Sequence, residues 1–182
     1  MSLLQNTSTQ RVERNNKRYD EGCADAILKM GTFYERGRHG FPQNMDKAFE
    51  LYHRAAELGH SGAYYNIGYA YMMGMNVERD EEKARHYWEL AAMSGSVLAR
   101  HNLGMLEEQD YNMDRALKHW MISVECGFKE SLIGVKEMYA SKYATKDDYT
   151  KALRLYQAYL NDIKSVQRDA AAAVDGRWQY YE

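Results

Sequence analysis

The sequence predicts an all-α protein, a solenoid of stacked antiparallel helix pairs, and three observations carry that prediction. The first is repetition: Ala48, Ala84, Ala116 and Ala152 recur at offsets of 36, 32 and 36. Four positions before each stands Asn44, Asp80, Asn112 or Asp148, and one position before each a base, Lys47, Lys83, Arg115 or Lys151. Four positions after each comes an aromatic, Tyr52, Trp88, Trp120 or Tyr156. A period of roughly 30 to 40 residues marks units that bury their apolar faces only by stacking on neighbours. The second observation is that small and aromatic residues inside each unit fall at helical spacing. The third is composition, 45% hydrophobic with the single proline Pro42, which suits an ordered helical chain.

The elements follow in order. Residues 1–22 read as a tail and a half-repeat, because Gly22 and Ala26 relate to the stretch 12–21 as Gly59 and Ala63 relate to theirs. The first unit spans 23–59, with a loop from Gly37 to Gln43 one residue longer than the next. In the second, 60–95, the positions Ala63, Ile67, Ala70 and Tyr71 mark one face of helix A, which ends at Gly74, a residue able to take the left-handed cap conformation. Gly68 lies inside that helix, where glycine costs about 1 kcal/mol relative to alanine. Its recurrence at Gly31 and Gly104 predicts close approach of a partner helix. Asp80 is predicted to cap helix B, as Asn44, Asn112 and Asp148 are predicted to cap the B helices of their own units, and Ala84, Trp88 and Ala91 to form its buried stripe up to Gly95. The third unit, 96–127, shortens the interhelix loop by four. The fourth, 128–163, is degenerate, with Lys136 at the glycine position and Tyr159 in place of Ala55, Ala91 and Ser123. Residues 150–175 contain neither Gly nor Pro, so the last helix either extends or breaks near 164–167 into a capping segment, 164–182, of the kind solenoid ends require.

A formal charge of −2 and a pI near 6.3 supply no basic field for phosphates, so nucleic acid is excluded as the expected partner. Residues 1–16 are polar and lack a signal-peptide core, and no 18 apolar residues run together, which predicts no membrane insertion and a cytoplasmic or nuclear address. Cys23 and Cys126 have no metal-ligand spacing and read as reduced thiols.

The string Ala63, Gly68, Tyr71, Gly74, Asp80, Lys83-Ala84, Trp88, Ala91-Ala92 and Gly95 resembles the Sel-1-like repeat, a relative of the tetratricopeptide repeat with a longer interhelix loop. The resemblance covers roughly 23–163. It implies a right-handed α-solenoid that serves as a non-catalytic adaptor or scaffold for a partner protein or peptide, including substrate-adaptor roles in ubiquitin-ligase and quality-control assemblies. A structural spacer is the alternative within that class. The third unit departs from the pattern by placing Glu107 where Tyr34, Tyr71 and Tyr139 stand. A cysteine-rich bacterial branch carries a proposed drug-hydrolysing activity, and two lone cysteines place this chain outside it.

The same resemblance implies that helix A lines the binding face. The positions beside its core stripe are then Tyr65, Asn66, Tyr69, Met72 and Met73 in the second unit, His101, Asn102, Met105 and Glu108 in the third, and Leu28, Lys29, Thr32, Glu35 and Arg36 in the first. Tyr65, Asn66, Tyr69, Met72, His101 and Met105 form the expected central contact surface, since Tyr and Met offer adaptable amphipathic area and Asn an amide for peptide backbone. The alternative for Tyr65 and Tyr69 is that they fill the seam between adjacent A helices. An enzyme, hydrolytic for instance, is the competing class. It would need a nucleophile, base and oxyanion donor converging in one pocket, and neither adjacent carboxylate pairs such as Glu81-Glu82 nor the dispersed histidines make such a set. No cofactor or metal is expected. The terminal Trp178-Gln179-Tyr180-Tyr181 reads as a cap packed on the last helices or as a docking tail.

Overall fold

The computed structural model describes the backbone of residues 12–178 and the side chains of residues 12–167. All regular structure among them is helical: α1 (12–20), α2 (Ala24–Arg36), α3 (Met45–Glu57), α4 (Ser61–Met73), α5 (Glu81–Met93), α6 (Val97–Gln109), α7 (Met113–Glu125), α8 (Lys129–Ala140) and α9 (Lys146–Trp178). They form two compact units, one ending at Ala99 and the other beginning at Arg100.

In the first unit α2 packs on α3, α3 on α4, and α4 on α5. The pairing is antiparallel: Asn44 N–H donates to the Tyr34 carbonyl, and a Cβ at Gly31 would meet Tyr52 at 2.6 Å, so ascending positions on α3 face descending ones on α2. The α4–α5 pair repeats this, with Asp80 N–H on the Tyr71 carbonyl and Gly68 against Trp88, again at 2.6 Å from an added Cβ. In the second unit Gly104 of α6 meets Trp120 of α7 in the same way, and Gly134 of α8 lies against the same indole. The mid-helix glycines are therefore seats for rings. Ala48, Ala84, Ala116 and Ala152 are each 0% exposed, which fixes the register of the repeat. Burying an alanine beside a large aromatic lets two helices approach without a void.

The C-terminal ends of α1, α3, α5 and α7 repeat closely. After α1, α3, α5 and α7 the chain turns through Gly22, Gly59, Gly95 and Gly127, with φ between +75° and +89°. Each glycine N–H bonds the carbonyl three residues back, and the next residue's N–H the carbonyl five back, as in His60 to Ala55 at 3.1 Å and Ser96 to Ala91 at 2.8 Å. This Schellman arrangement satisfies carbonyls the helix leaves open. After α2 and α4 the left-handed residues are Gly37 and Gly74, but after α6 and α8 they are Tyr111 at +61° and Lys142 at +65°.

Two expectations about caps need correction. Asn44 and Asp80 do cap α3 and α5, accepting from the Lys47 and Lys83 amides at 2.9 Å each. Asn112 makes no side-chain cap bond, because its amide donates instead to Glu107 Oε2 at 3.0 Å. Asp148 is not the cap of α9: the shortened connection starts that helix three residues earlier, and Thr145 Oγ1 accepts from the Asp148 amide at 3.1 Å while the Asp148 carboxylate accepts from the Thr145 amide at 2.9 Å. That reciprocal pair is a capping box. Of the two forms open to the last helix, α9 takes the extended one, running unbroken through 164–167 for 33 residues. The side chain of Trp178, residues 179–182 and the first 11 residues lie outside the described set.

Candidate functional site

The six expected contact residues divide between the two units. In the first, α4 buries Ala63, Ile67, Gly68 and Ala70 against α3 and α5. Helical geometry then turns its neighbours outward: Tyr65, Asn66 and Met72 are half-buried and Tyr69 is 38% exposed. Tyr65 is held in place. Its ring stacks between Tyr69 and Trp88, 6.4 Å from each, and its carbonyl accepts from the Trp88 indole N–H at 3.2 Å. Tyr65 is thus largely engaged in packing against Trp88 of α5, while Tyr69 presents its outer face.

Asn66 borders a small cavity between α2, α3 and α4, lined also by Glu35, Phe49, Tyr52, Tyr69 and Met75. There the Tyr52 hydroxyl donates to Glu35 Oε2 at 2.6 Å, and the Asn66 amide approaches the same hydroxyl. Burial, and then the Glu35 carboxylate, push the Tyr52 phenol far above its usual range, so it remains a hydrogen-bond donor at any working pH. Met72 contributes its carbonyl to the loop, accepting from Arg79 Nε at 3.1 Å.

In the second unit His101 stands where Tyr65 stands in the first. Its carbonyl accepts from the Trp120 indole at 3.2 Å, its ring lies 6.4 Å from that indole and 5.0 Å from Phe128, and Nδ1 is 2.9 Å from Ser131 Oγ. Burial pushes the His101 imidazolium pKa down, favouring the neutral ring. Met105, the counterpart of Tyr69, is 44% exposed. The sequence reading missed how Trp88 and Trp120 tie Tyr65 and His101 down through their carbonyls, although indole at two of the four aromatic positions was the available signal.

The Tyr, Met, Asn and His side chains on these helices can make apolar and hydrogen-bonding contacts with polypeptide. Among the described residues no group of three His, Cys, Asp or Glu could hold a metal ion, and no helix is long and apolar enough to cross a membrane. Cys23 and Cys126 are free thiols.

Glycine-seated aromatics, buried alanine columns and capped helix pairs in series define a helical-repeat protein. The family model for the Sel1 repeat matches residues 24–60, 61–96 and 138–158, just over half of the sequence, and the chain belongs to that family. The unmatched stretch includes Glu107 and the short α6–α7 connection. A Sel1 repeat protein from Oxalobacter formigenes superimposes with a TM-score of 0.71 at 25% identity, over 84% of this chain and 64% of that one. A protective antigen of uropathogenic Escherichia coli with an SLR fold gives 0.70 at 25% identity, over 83% and 33%. Chitin synthase regulatory factor 1 of Schizosaccharomyces pombe is 43% identical over 67 residues, 36% of this chain and 14% of that protein. The ERAD-associated E3 ubiquitin-protein ligase component HRD3B of Arabidopsis thaliana is 30% identical over 101 residues, 55% and 16% respectively. The chain thus spans less than a fifth of the length of these curated relatives.

Proposed function

We propose that this chain is a non-catalytic interaction module that binds a partner protein or peptide through the outward positions of its A helices: Tyr65, Asn66, Tyr69 and Met72 in the first unit, His101 and Met105 in the second. The observation that carries the reading is the equivalence of the two units. In each, an indole hydrogen bond and ring stacking immobilise the inner residue, while the residue four positions on, Tyr69 or Met105, is exposed. A rigid inner ring beside an adaptable outer side chain is what a contact surface needs, since little conformational entropy is lost on binding. Relatives named as a ligase component and as regulatory factors support an adaptor role over a passive spacer. The division into repeats at 23–59, 60–95, 96–127 and 128–163, with a cap beyond, and a cytoplasmic or nuclear address form part of this proposal.

The test is affinity capture with the intact chain, followed by titration of the captured partner against Tyr69→Ala and Met105→Ala. Truncating a central aromatic contact typically costs about 2 kcal/mol of binding energy or more. Unchanged affinity in both variants, with helical content intact, would move the contact surface elsewhere.

A further inference from the structure

A second cleft lies one helix pair away, on α1 and α2 rather than α4. It is an open cavity of about 420 Å³ lined by Val12, Arg14, Asn15, Arg18, Lys29, Phe33 and His39. Its walls are held together from within, because Asn15, 7% exposed, donates from Nδ2 to the Ala26 carbonyl at 3.2 Å and so fixes α1 on α2. Three cations line it in a chain whose formal net charge is −2. One carboxylate stands among them: Asp25 Oδ2 accepts from Lys29 Nζ at 2.8 Å and lies 3.3 Å from Arg18 Nη1, while Arg18 Nη2 also reaches Cys23 Sγ at 3.1 Å. Asp25 offsets one positive charge and leaves an excess. Arg14 and Arg18 are one turn apart on α1, a like-charge spacing that weakens a helix, so the stability of α1 does not account for the pair. The lining is also partly apolar, with the Phe33 and His39 rings 4.5 Å apart and Val12 among the residues that border the cavity.

We propose that this cleft binds an acidic peptide segment of a partner protein, with carboxylate side chains meeting Arg14, Arg18 and Lys29 and an apolar side chain resting on Phe33 and His39. The cations account for the carboxylates through charge complementarity. The two rings favour a peptide over a free anion, which has no apolar body to bury there. This site does not depend on the α4 surface.

Fluorescence anisotropy with the full chain tests it, using a labelled glutamate-rich peptide with one central phenylalanine. The same peptide with every glutamate replaced by glutamine is the control. The glutamate peptide should bind, the glutamine peptide should not, and Arg14→Ser or Lys29→Gln should each weaken binding about five- to tenfold. Raising ionic strength from tens of millimolar to molar should also release it. His39→Gly should weaken binding without loss of fold, since His39 already holds φ +59°, where glycine is at ease. Tyr69→Ala should change nothing. The proposal is overturned if neither peptide binds at millimolar concentration, if Arg14→Ser and Lys29→Gln together leave affinity unaltered, or if low-millimolar inorganic phosphate displaces the peptide completely, which would make the cleft a simple anion site.

Discussion

The α4–α5 pair and the α6–α7 pair carry the same ring contact and solve the problem of their helix ends by different chemistry. In α4–α5 the connection is long, Gly74 supplies the left-handed residue, Asp80 caps, and Lys83 Nζ lies 5.2 Å above the Tyr71 ring. In α6–α7 the connection is short and Tyr111 takes the left-handed conformation. Glu107 replaces the tyrosine, buried to 1% exposure, and receives Arg115 at 2.9 Å and Asn112 at 3.0 Å. The lysine-on-ring contact has become an ion pair, and the cap residue has been drawn into it. Packing of ring on glycine is therefore what these two pairs share, and end chemistry is where they differ.

Arg115→Ala should separate the two regions most sharply. It leaves the buried Glu107 carboxylate with less compensation, a loss of about 3 kcal/mol, tempered because the arginine itself is 60% exposed. The matching Lys83→Ala removes an exposed contact and should move Tm by no more than about 2 °C. Thermal unfolding followed by circular dichroism compares the pair, and similar losses in both would refute the exchange.

Gly68→Ala and Gly104→Ala should instead behave alike. Each places a methyl group inside an indole's contact distance, and overpacking of about 1–3 kcal/mol outweighs the gain in helix propensity of about 1 kcal/mol. Chemical denaturation midpoints measure this, and a stabilised Gly104→Ala protein would show that the ring can yield.

The cap residues sharpen the comparison through pH. The Lys83 backbone amide holds the Asp80 carboxyl below the usual carboxylate range, and the Thr145 side chain does the same for Asp148. A carboxylate with a depressed folded pKa contributes stability above its unfolded value, about 3.9, and loses it as pH falls through the lower folded value. The amide resonance of Lys83 should accordingly titrate with a midpoint below about 3.9. A midpoint at or above that value would contradict the cap.

The smallest effect has the opposite sign. Tyr111→Gly and Lys142→Gly relieve a left-handed strain of about 1–2 kcal/mol but add chain entropy to the unfolded state, so each should stabilise by about half a kcal/mol. Gly74→Ala should do the reverse, and the two shifts can be read from melting curves side by side.

The periodicity of the chain made the packing legible. Alanine columns and mid-helix glycines each state a local steric requirement that recurs, and the four alanines are buried as the spacing implies. Asp148 resisted the same reading because α9 begins three residues earlier, and a cap depends on that start rather than on distance from the alanine; Asn112 does stand directly before α7, but its side chain is turned to Glu107. Helical phase also pointed to Tyr69 and Met105, which are exposed, but not to the half-burial of Tyr65, Asn66, Met72 and His101. The tie between Tyr52 and Glu35 was not legible, since it joins side chains 17 positions apart on different helices, where no period operates. Glu107 was visible as a departure, but its partners became identifiable only once Arg115 and Asn112 stood beside it.

The indoles of Trp88 and Trp120 have an optical consequence. Each is buried, hydrogen-bonded to a carbonyl and assigned to a different unit, so the molecule carries two intrinsic fluorophores in dry, well-defined surroundings. With Trp178 and either one of them replaced by phenylalanine, emission from the remaining indole would red-shift as its own unit opens to water. Two such single-tryptophan proteins would report whether the halves melt as one cooperative body or in succession, with no added dye and no label on the surface where a partner would bind.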